Sequence, residues 1–315
     1  MEISVLVTCY DEGSLLCRAM KSLDSQTDKD FEIIIINDCS PDPRTNAICR
    51  ELGVEGKASI IWRKENAGHA AAKNSGFEAM KGEIGVVLDA DDELPQGAIA
   101  DIRYAFNQFP QADYVFGDYI LHNVEAAKER IVDCSVLRDS NGSIDPYILL
   151  KNWILYGTCP SKKAFWQRIG KYPLGFSFSL HDVDFWMKAL LRGARGVYVN
   201  SVIYIWHKSE KGMNSRPETQ MVMADLYFEN LAFLNMYDTS GQMRLGIMRA
   251  FLNRGAYAKA KIVAMAMISS GQNSFIVRFI AYAPALAVQY FFLFYKALRK
   301  TKLIKPIVNA TKELA

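Results

Sequence analysis

The chain has little net charge of either sign. Its 37 Lys and Arg are met by 34 Asp and Glu, a formal charge of +3 at pH 7. No global basic field is present to hold nucleic acid, so no nucleic-acid partner is expected. The chain also lacks a C-x-x-C pair. Its cysteines stand apart at Cys9, Cys17, Cys39, Cys49, Cys134 and Cys159, which excludes zinc-ribbon and thioredoxin-type sites. Several fall inside apparent strands and helices, as buried reduced thiols do, and a cytoplasmic home is the expectation. The opening MEISVLVT has no basic n-region and no cleavage site, so no signal peptide is expected. After the first strand the chain reads TCYDEGS. That is not a Gly-rich phosphate loop, so P-loop and dinucleotide-binding readings fail, and a nucleotidylyltransferase is disfavoured. Internal repeats and low-complexity segments are absent as well.

What is present is a folding composition, 50% hydrophobic and 23% charged over 315 residues, enough for one large domain or two smaller ones. The first 120 residues alternate in type. ISVLVT (3–8), FEIIIIND (31–38), SIIWR (59–63), IGVVLD (84–89) and YVFGDYI (114–120) read as strands. Between them, SLLCRAMKSL (14–23), AAAKNSGFEAMK (70–81) and QGAIADIRYAFNQF (96–109) read as helices. Strands apolar throughout and separated by helices predict a mostly parallel sheet covered on both faces, an α/β fold. Ligands of such sheets bind outside the carboxyl ends of the strands.

Those ends are polar or acidic. The first closes in Thr8-Cys9-Tyr10-Asp11-Glu12, the second in Asn37-Asp38, the fourth in Asp89-Ala90-Asp91. Any one acid, Asp38 or Asp92 for instance, has the alternative role of a helix N-cap. In VVLDADDELP (86–95) four carboxylates, Asp89, Asp91, Asp92 and Glu93, crowd five positions. Alternation along a strand puts Asp89 and Asp91 on one side. Two convergent carboxylates form a hard-oxygen site suited to Mg²⁺ or Mn²⁺, whose remaining positions take water and phosphate oxygens.

The middle of the chain, 121–215, is irregular and rich in Gly and aromatics. Beyond Pro217 it turns helical, with helices expected over 218–237, 241–254, 256–269 and 274–300. The last has an apolar core from Phe279 to Tyr295, interrupted by Pro284 and Gln289, at the short edge of what spans a bilayer. Six cations follow (Lys296, Arg299, Lys300, Lys302, Lys305, Lys312) against one acid, Glu313. Two roles stay open for this helix. It lies in a membrane interface and draws on anionic lipid, or it is buried in a helical subdomain or a homodimer contact.

Taken in order, VTCYDEG (7–13), IIINDCSPD (34–42), ENAGHAAAKNSG (65–76), VVLDADDEL (86–94) and LHDVDFWMKALLRG (180–193) resemble the family 2 glycosyltransferases over about residues 1–215. These are inverting, nucleotide-sugar-dependent enzymes of the GT-A fold. The resemblance implies a GT-A domain over 1–215, with a nucleotide-sugar-binding half (1–120) and an acceptor half (121–215), followed by a C-terminal helical region (216–315). It implies that Tyr10 stacks on the base, Thr8 and Glu12 touch the nucleoside edge, and Asp38 accepts a hydrogen bond from the base. Lys73 stands where the family often has Arg and would reach the base or diphosphate; its alternative is a solvated helix lysine. Asn66 counts with the donor-binding residues, and with Gly68, Asn74 and Gly76 shapes the loop and the helix–sheet approach. Asp89 would face ribose and metal, and Asp91 would bind the metal directly. His207, in IYIWHKSEKGMNS (203–215), is a third metal ligand or a phosphate contact, or else caps the strand edge. Lys208, Lys211 and Ser215 are lid candidates. Of Trp153, Trp166 and Trp186, at most one is expected to line the acceptor groove.

Asp182 matches the family's general base, the second member of a Glu-Asp pair. Here the pair reads His181-Asp182, and His181 either contacts the acceptor or holds Asp182. Asp184 is the alternative base, or faces solvent in the first helical turn. The implied reaction moves a hexosyl or N-acetylhexosaminyl group to an acceptor hydroxyl with help from Mg²⁺ or Mn²⁺; Asp38 and Tyr10 fit a UDP-linked donor, and thymine and guanine donors stay open. Cell-surface polysaccharide or lipid-linked oligosaccharide is the expected product class, with protein and small-molecule acceptors left open, and the expected place is the cytoplasm, either free or at the inner face of the plasma membrane. Two rivals are carried. One is a nucleotide-sugar-binding protein of this fold that has lost catalysis. The other is a D-x-D phosphatase, disfavoured because its motif should close the first strand.

Overall fold

A computed structural model of the protein describes residues 1–178, 180–210 and 217–300, with side chains throughout except at 217–221 and 294–300. The lid candidates Lys211 and Ser215 lie outside the described residues, as do Lys302, Lys305, Lys312 and the side chains of Lys296, Arg299 and Lys300. The chain divides into two compact units, 1–221 and 222–315.

The first unit is built on an eight-stranded sheet. Strands β1 (Ile3–Cys9), β2 (Phe31–Asn37), β3 (Ser59–Trp62) and β4 (Ile84–Asp89) are parallel, in the order β3-β2-β1-β4. All of β1 is buried, as are Ile34, Ile35 and Ile36 of β2 and Val86, Val87 and Leu88 of β4. Each such side chain withdrawn from water contributes about 1.5–3 kcal/mol, which is why these apolar runs settle in the centre of a two-faced sheet. Helices α1 (Leu15–Asp24), α3 (Gly68–Ala79) and α4 (Ala98–Gln108) follow the pattern read from sequence. So does β5, which extends over Tyr114–Asn123. Helix α2 (Pro43–Val54) is one the apolar spacing does not announce. It is set by its N-terminus, where Asp42 accepts from the amides of Arg44 and Thr45 and Pro43 occupies the first turn, both strong helix starts.

The irregular middle contains β6 (Lys128–Val132), α5 (Pro146–Lys151), β7 (Ser161–Lys162), α6 (Lys163–Ile169), α7 (His181–Leu191) and β8 (Gly196–Lys208). Strand β7 runs antiparallel between β4 and β5, while β8 pairs in parallel with β5 through a bulged register. His207 therefore sits on a strand, not in the loop that follows. Trp166 and Trp186 are each 1% exposed and belong to the core.

The second unit is helical. Where one helix is expected over 218–237, the chain forms α8 (Pro217–Glu229) and α9 (Leu231–Tyr237), interrupted at Asn230. Helices α10 (Gln242–Asn253) and α11 (Tyr257–Ser269) follow. The expected last helix is two, α12 (Phe275–Tyr282) and α13 (Ala285–Lys300), because Pro284 cannot supply the amide a continuous helix requires. No helix among the described residues is long and apolar enough to cross a membrane.

Candidate functional site

Strand order reverses at β1, with β2 and β3 on one side and β4 on the other. A crevice opens at such a switch point, beyond the carboxyl ends of the strands. The register puts Thr8 opposite Asp89 and Cys9 opposite Asn37. The ends carrying Tyr10, Asp38 and Asp89 therefore share one sheet edge. Close packing behind it depends on Gly76, where a methyl would stand 2.9 Å from Ile36 Cδ1.

The four crowded carboxylates meet four different environments. Asp89 Oδ1 accepts from Thr8 Oγ1 at 2.8 Å and lies 3.4 Å from Lys73 Nζ. Burial works against its charge, but Lys73, His69 and Thr8 together hold its carboxyl below the usual range. Asp92 is 4% exposed and accepts from Tyr204 Oη at 2.7 Å and from the His207 amide at 2.8 Å. Burial, reinforced by Asp91 and Asp89, pushes it well above the carboxylate range. Glu93 lies 3.4 Å from Arg18 Nε and pairs with His207 Nε2 at 2.8 Å. Asp91 is different. Among the described residues no ion pair reaches its carboxylate, and burial together with Asp89 pushes it up to about 6.

The chemistry of Asp89 and Asp91 is that of a hard-oxygen donor pair. Both protein partners of Asp89 approach Oδ1, so Oδ2 and the Asp91 carboxylate form a hard, like-charged pair in need of positive charge. Among the described residues no group of three His, Cys, Asp or Glu is placed to hold a metal. His207 does not join the pair; its Nε2 is engaged by Glu93 and its ring lies 4.9 Å from that of His122.

On the nucleoside side, Tyr10 is half-buried and its amide donates to Glu12 Oε2 at 2.5 Å. Burial raises the Glu12 carboxyl to about 7. Asp38 is fixed by Arg63 Nη1 at 2.6 Å and the Gly68 amide at 2.9 Å. Asn66 Oδ1 also receives the Gly68 amide, at 3.0 Å. Gly68 adopts φ +83°, and a methyl there would stand 2.8 Å from the Ser177 carbonyl oxygen. Asn74 ties α3 to the acceptor half: its Oδ1 accepts from Trp166 Nε1 at 3.1 Å and the Tyr172 amide at 2.9 Å. Lys73 is no solvated lysine. It is 3% exposed, with Nζ 3.2 Å from His181 Nε2.

The acceptor half brings in α7. Asp182 is half-buried in its first turn, where the helix dipole favours a carboxylate. It rests on Gly157: a methyl at 157 would stand 2.6 Å from Asp182 Cγ. Asp184 does not face solvent. It is 1% exposed and held by Lys188 at 2.8 Å.

Sequence reasoning missed several of these residues. Arg63 had a faint signal, as a cation closing β3. Arg18, Tyr204 and Gly157 are brought to the site by contacts far away in sequence, while His69 lies inside ENAGHAAAKNSG (65–76) and its meeting with His181 is the part that local pattern does not show. His69 stacks on His181 with ring centroids 5.9 Å apart.

Comparison with known proteins bears on this geometry. Residues 4–169 match the model of glycosyl transferase family 2. A Campylobacter jejuni protein described as GalNAc(5)-diNAcBac-PP-undecaprenol beta-1,3-glucosyltransferase is 28% identical over 152 residues, 48% of each chain. Among solved structures, Staphylococcus aureus TarS 1–349 in complex with UDP-GlcNAc superposes with a TM-score of 0.64 at 17% identity, over 93% of this chain and 89% of that one. The mannosyltransferase PcManGT from Pyrobaculum calidifontis, in complex with GDP-Man and Mn²⁺, gives 0.57 at 16% identity over 96% and 87%. The chain spans between 32% and 48% of the length of the first curated relatives it matches. The structural matches carry the fold: a mostly parallel sheet flanked by helices, the GT-A arrangement expected from sequence, with helices appended. Because the family model covers more than half of the chain, this protein belongs to glycosyl transferase family 2.

Proposed function

We propose that this protein is an inverting glycosyltransferase that moves a sugar from a UDP-sugar to an acceptor hydroxyl in cell-surface glycan synthesis. The observation that carries the proposal is the Asp89–Asp91 pair at the switch point, with Asp91 held up to about 6 and without an ion-pair partner among the described residues. A nucleoside diphosphate with its divalent cation answers that charge. The solved neighbours support the donor class, one holding UDP-GlcNAc and one GDP-Man with Mn²⁺. Hexosyl and N-acetylhexosaminyl groups are the sugars in keeping with them. The Campylobacter relative, whose description names an undecaprenol-linked acceptor, supports a lipid-linked one here.

In this reading residues 1–215 form the transferase domain and 216–315 a helical region. Tyr10, Thr8, Glu12, Asp38 and Asn66 hold the nucleoside end. Lys73 and Asp89 hold the diphosphate and ribose. Asp182 takes the proton of the acceptor hydroxyl as its oxygen forms a bond to the anomeric carbon. The bond from that carbon to the diphosphate breaks on the opposite face, so the configuration inverts. The Lys73 ammonium stabilises the negative charge that gathers on the diphosphate. Asp91 and Asp89 would hold a divalent cation, which would supply Lewis-acid neutralisation of the same charge.

The helical region gives a site of attachment. Leu286, Tyr290 and Leu293, at 66%, 70% and 52% exposure, lie on one face of α13, and the cations of 296–312 follow in sequence. That combination suits the surface of an anionic bilayer, where a lipid-linked acceptor would be found. The test of the proposal is release of nucleoside diphosphate from a panel of sugar nucleotides in the presence of a lipid-linked acceptor fraction. Turnover lost in Asp182→Asn supports it. Equal, near-zero rates in both proteins would favour a binding protein that has lost catalysis.

A further inference from the structure

The resemblance places a glutamate where this chain has His181, and in this chain that residue meets Lys73. Lys73 rises from α3 into a buried position, with Nζ 3.2 Å from His181 Nε2 and 3.4 Å from Asp89 Oδ1. An ammonium has three donors and no acceptor. Against an ammonium Nε2 presents its lone pair, which puts the ring's one proton on Nδ1, a buried atom with no hydrogen-bond partner among the described residues. His181 is thus neutral by geometry, and its burial agrees, being 6% exposed.

The ring is fixed from several sides. Tyr172 meets it edge-on at 5.8 Å and His69 stacks at 5.9 Å. The residue before it, Leu180, adopts φ +59°. A bulky side chain in the left-handed region is disfavoured and persists where the surroundings impose it. The strained entry to α7 sets the imidazole against Lys73.

We infer that His181 is a positioning residue that orients the Lys73 ammonium through a neutral hydrogen bond and leaves its charge for the donor diphosphate. Asp89 is then the one anion in contact with Lys73 among the described residues. A glutamate in place of His181 would make a second. Lys73 would be paired on both sides, and an arriving diphosphate would meet an additional negative charge. The inference deepens the donor-site reading above and rests on it.

Calorimetric titration of the full chain with UDP and Mg²⁺ tests it, using wild type, His181→Gln and His181→Glu, each with and without Lys73→Met. His181→Gln keeps a neutral acceptor and should bind UDP within about threefold of wild type. His181→Glu should bind about tenfold more weakly, equivalent to about 1.4 kcal/mol. In turnover its KM for the donor should rise and its kcat fall with it, because Lys73 also meets the charge that gathers on the leaving diphosphate, whereas a loss of packing would lower the folded fraction and leave KM unchanged. Lys73→Met should weaken binding less in the His181→Glu background than in wild type, since the two changes act on one charge. UDP affinity unchanged in His181→Glu, or an equal effect of Lys73→Met in both backgrounds, would overturn the inference. If the His181→Glu variant does not melt cooperatively, Lys73→Met alone decides: UDP affinity equal to wild type would overturn it. A wild-type protein that binds none of UDP, GDP, dTDP or CDP removes the donor site, and this inference with it.

Discussion

Asp182 and Gly157 are in direct contact, and the contact leaves no room for a Cβ. A methyl at 157 would stand 2.6 Å from Asp182 Cγ and the same crowding extends to its carboxylate. The Gly157 carbonyl is itself held by Trp186 Nε1 at 3.2 Å, so the backbone cannot readily withdraw. Gly157→Ala should therefore displace the base. We expect kcat to fall about 100-fold, in line with the sensitivity of transfer steps to small misplacements, with UDP affinity unchanged. Wild-type kcat in a folded Gly157→Ala protein would show that Asp182 does not need this position.

Asp182 and Asp184 should separate chemistry from stability. Asp182→Asn removes the proposed general base and is expected to lower kcat by about 10²–10⁴ with little change in melting temperature. Asp184 is buried and bonded to Lys188. Asp184→Asn should instead destabilise by about 1–3 kcal/mol and leave kcat per folded molecule near wild type. Chemical denaturation together with turnover checks both; the reverse pattern would move the base to Asp184.

The Glu12 carboxyl gives a pH signature. Burial raises it from 4.5 to about 7 in the folded protein. Between those values the folded state holds a proton that the unfolded chain has lost. Its stabilising contribution is full below about pH 4.5 and lost as pH rises through about 7. Glu12→Gln removes that dependence, so the variant should gain on wild type between pH 5 and pH 8, reaching about 1–3 kcal/mol. Parallel melting-temperature curves for the two proteins would contradict this.

The α13 face has its own test. Wild type should co-sediment with vesicles containing phosphatidylglycerol and much less with pure phosphatidylcholine. Leu286→Glu combined with Tyr290→Glu places two charges on the exposed stripe and should abolish sedimentation without changing UDP affinity. Equal partition of wild type and variant would assign the stripe to a protein contact, which light scattering would reveal as a dimer.

The parts legible in sequence were those written in local pattern. The runs at 3–8, 31–38 and 84–89 are apolar because both faces of a central sheet are covered, and they became β1, β2 and β4. The convergence of Asp89 and Asp91 follows from strand alternation. Less legible was α2, whose helix-forming information lies in Asp42 and Pro43, not in apolar spacing. Least legible was the distribution of charge among the acids. Asp92 is tied to Tyr204 and His207, Glu93 to Arg18, and Asp38 to Arg63, pairings that depend on how β8, α1 and β3 arrive at one edge. His207 shows the same limit: read as a metal ligand, a phosphate contact or a cap of the strand edge, it extends β8 beside His122 and is engaged by Glu93.

The Asp89–Asp91 pair is proposed to receive a nucleoside diphosphate together with a divalent cation. A thermal-shift titration with UDP, GDP, dTDP and CDP, each with Mn²⁺ and with EDTA, measures it most directly, since a ligand that binds only the folded state raises apparent stability. Stabilisation by UDP should require Mn²⁺, exceed that by the other nucleotides, and disappear in Asp91→Ala. Stabilisation by no nucleotide, or stabilisation by UDP that is the same in EDTA and in Asp91→Ala, would contradict it.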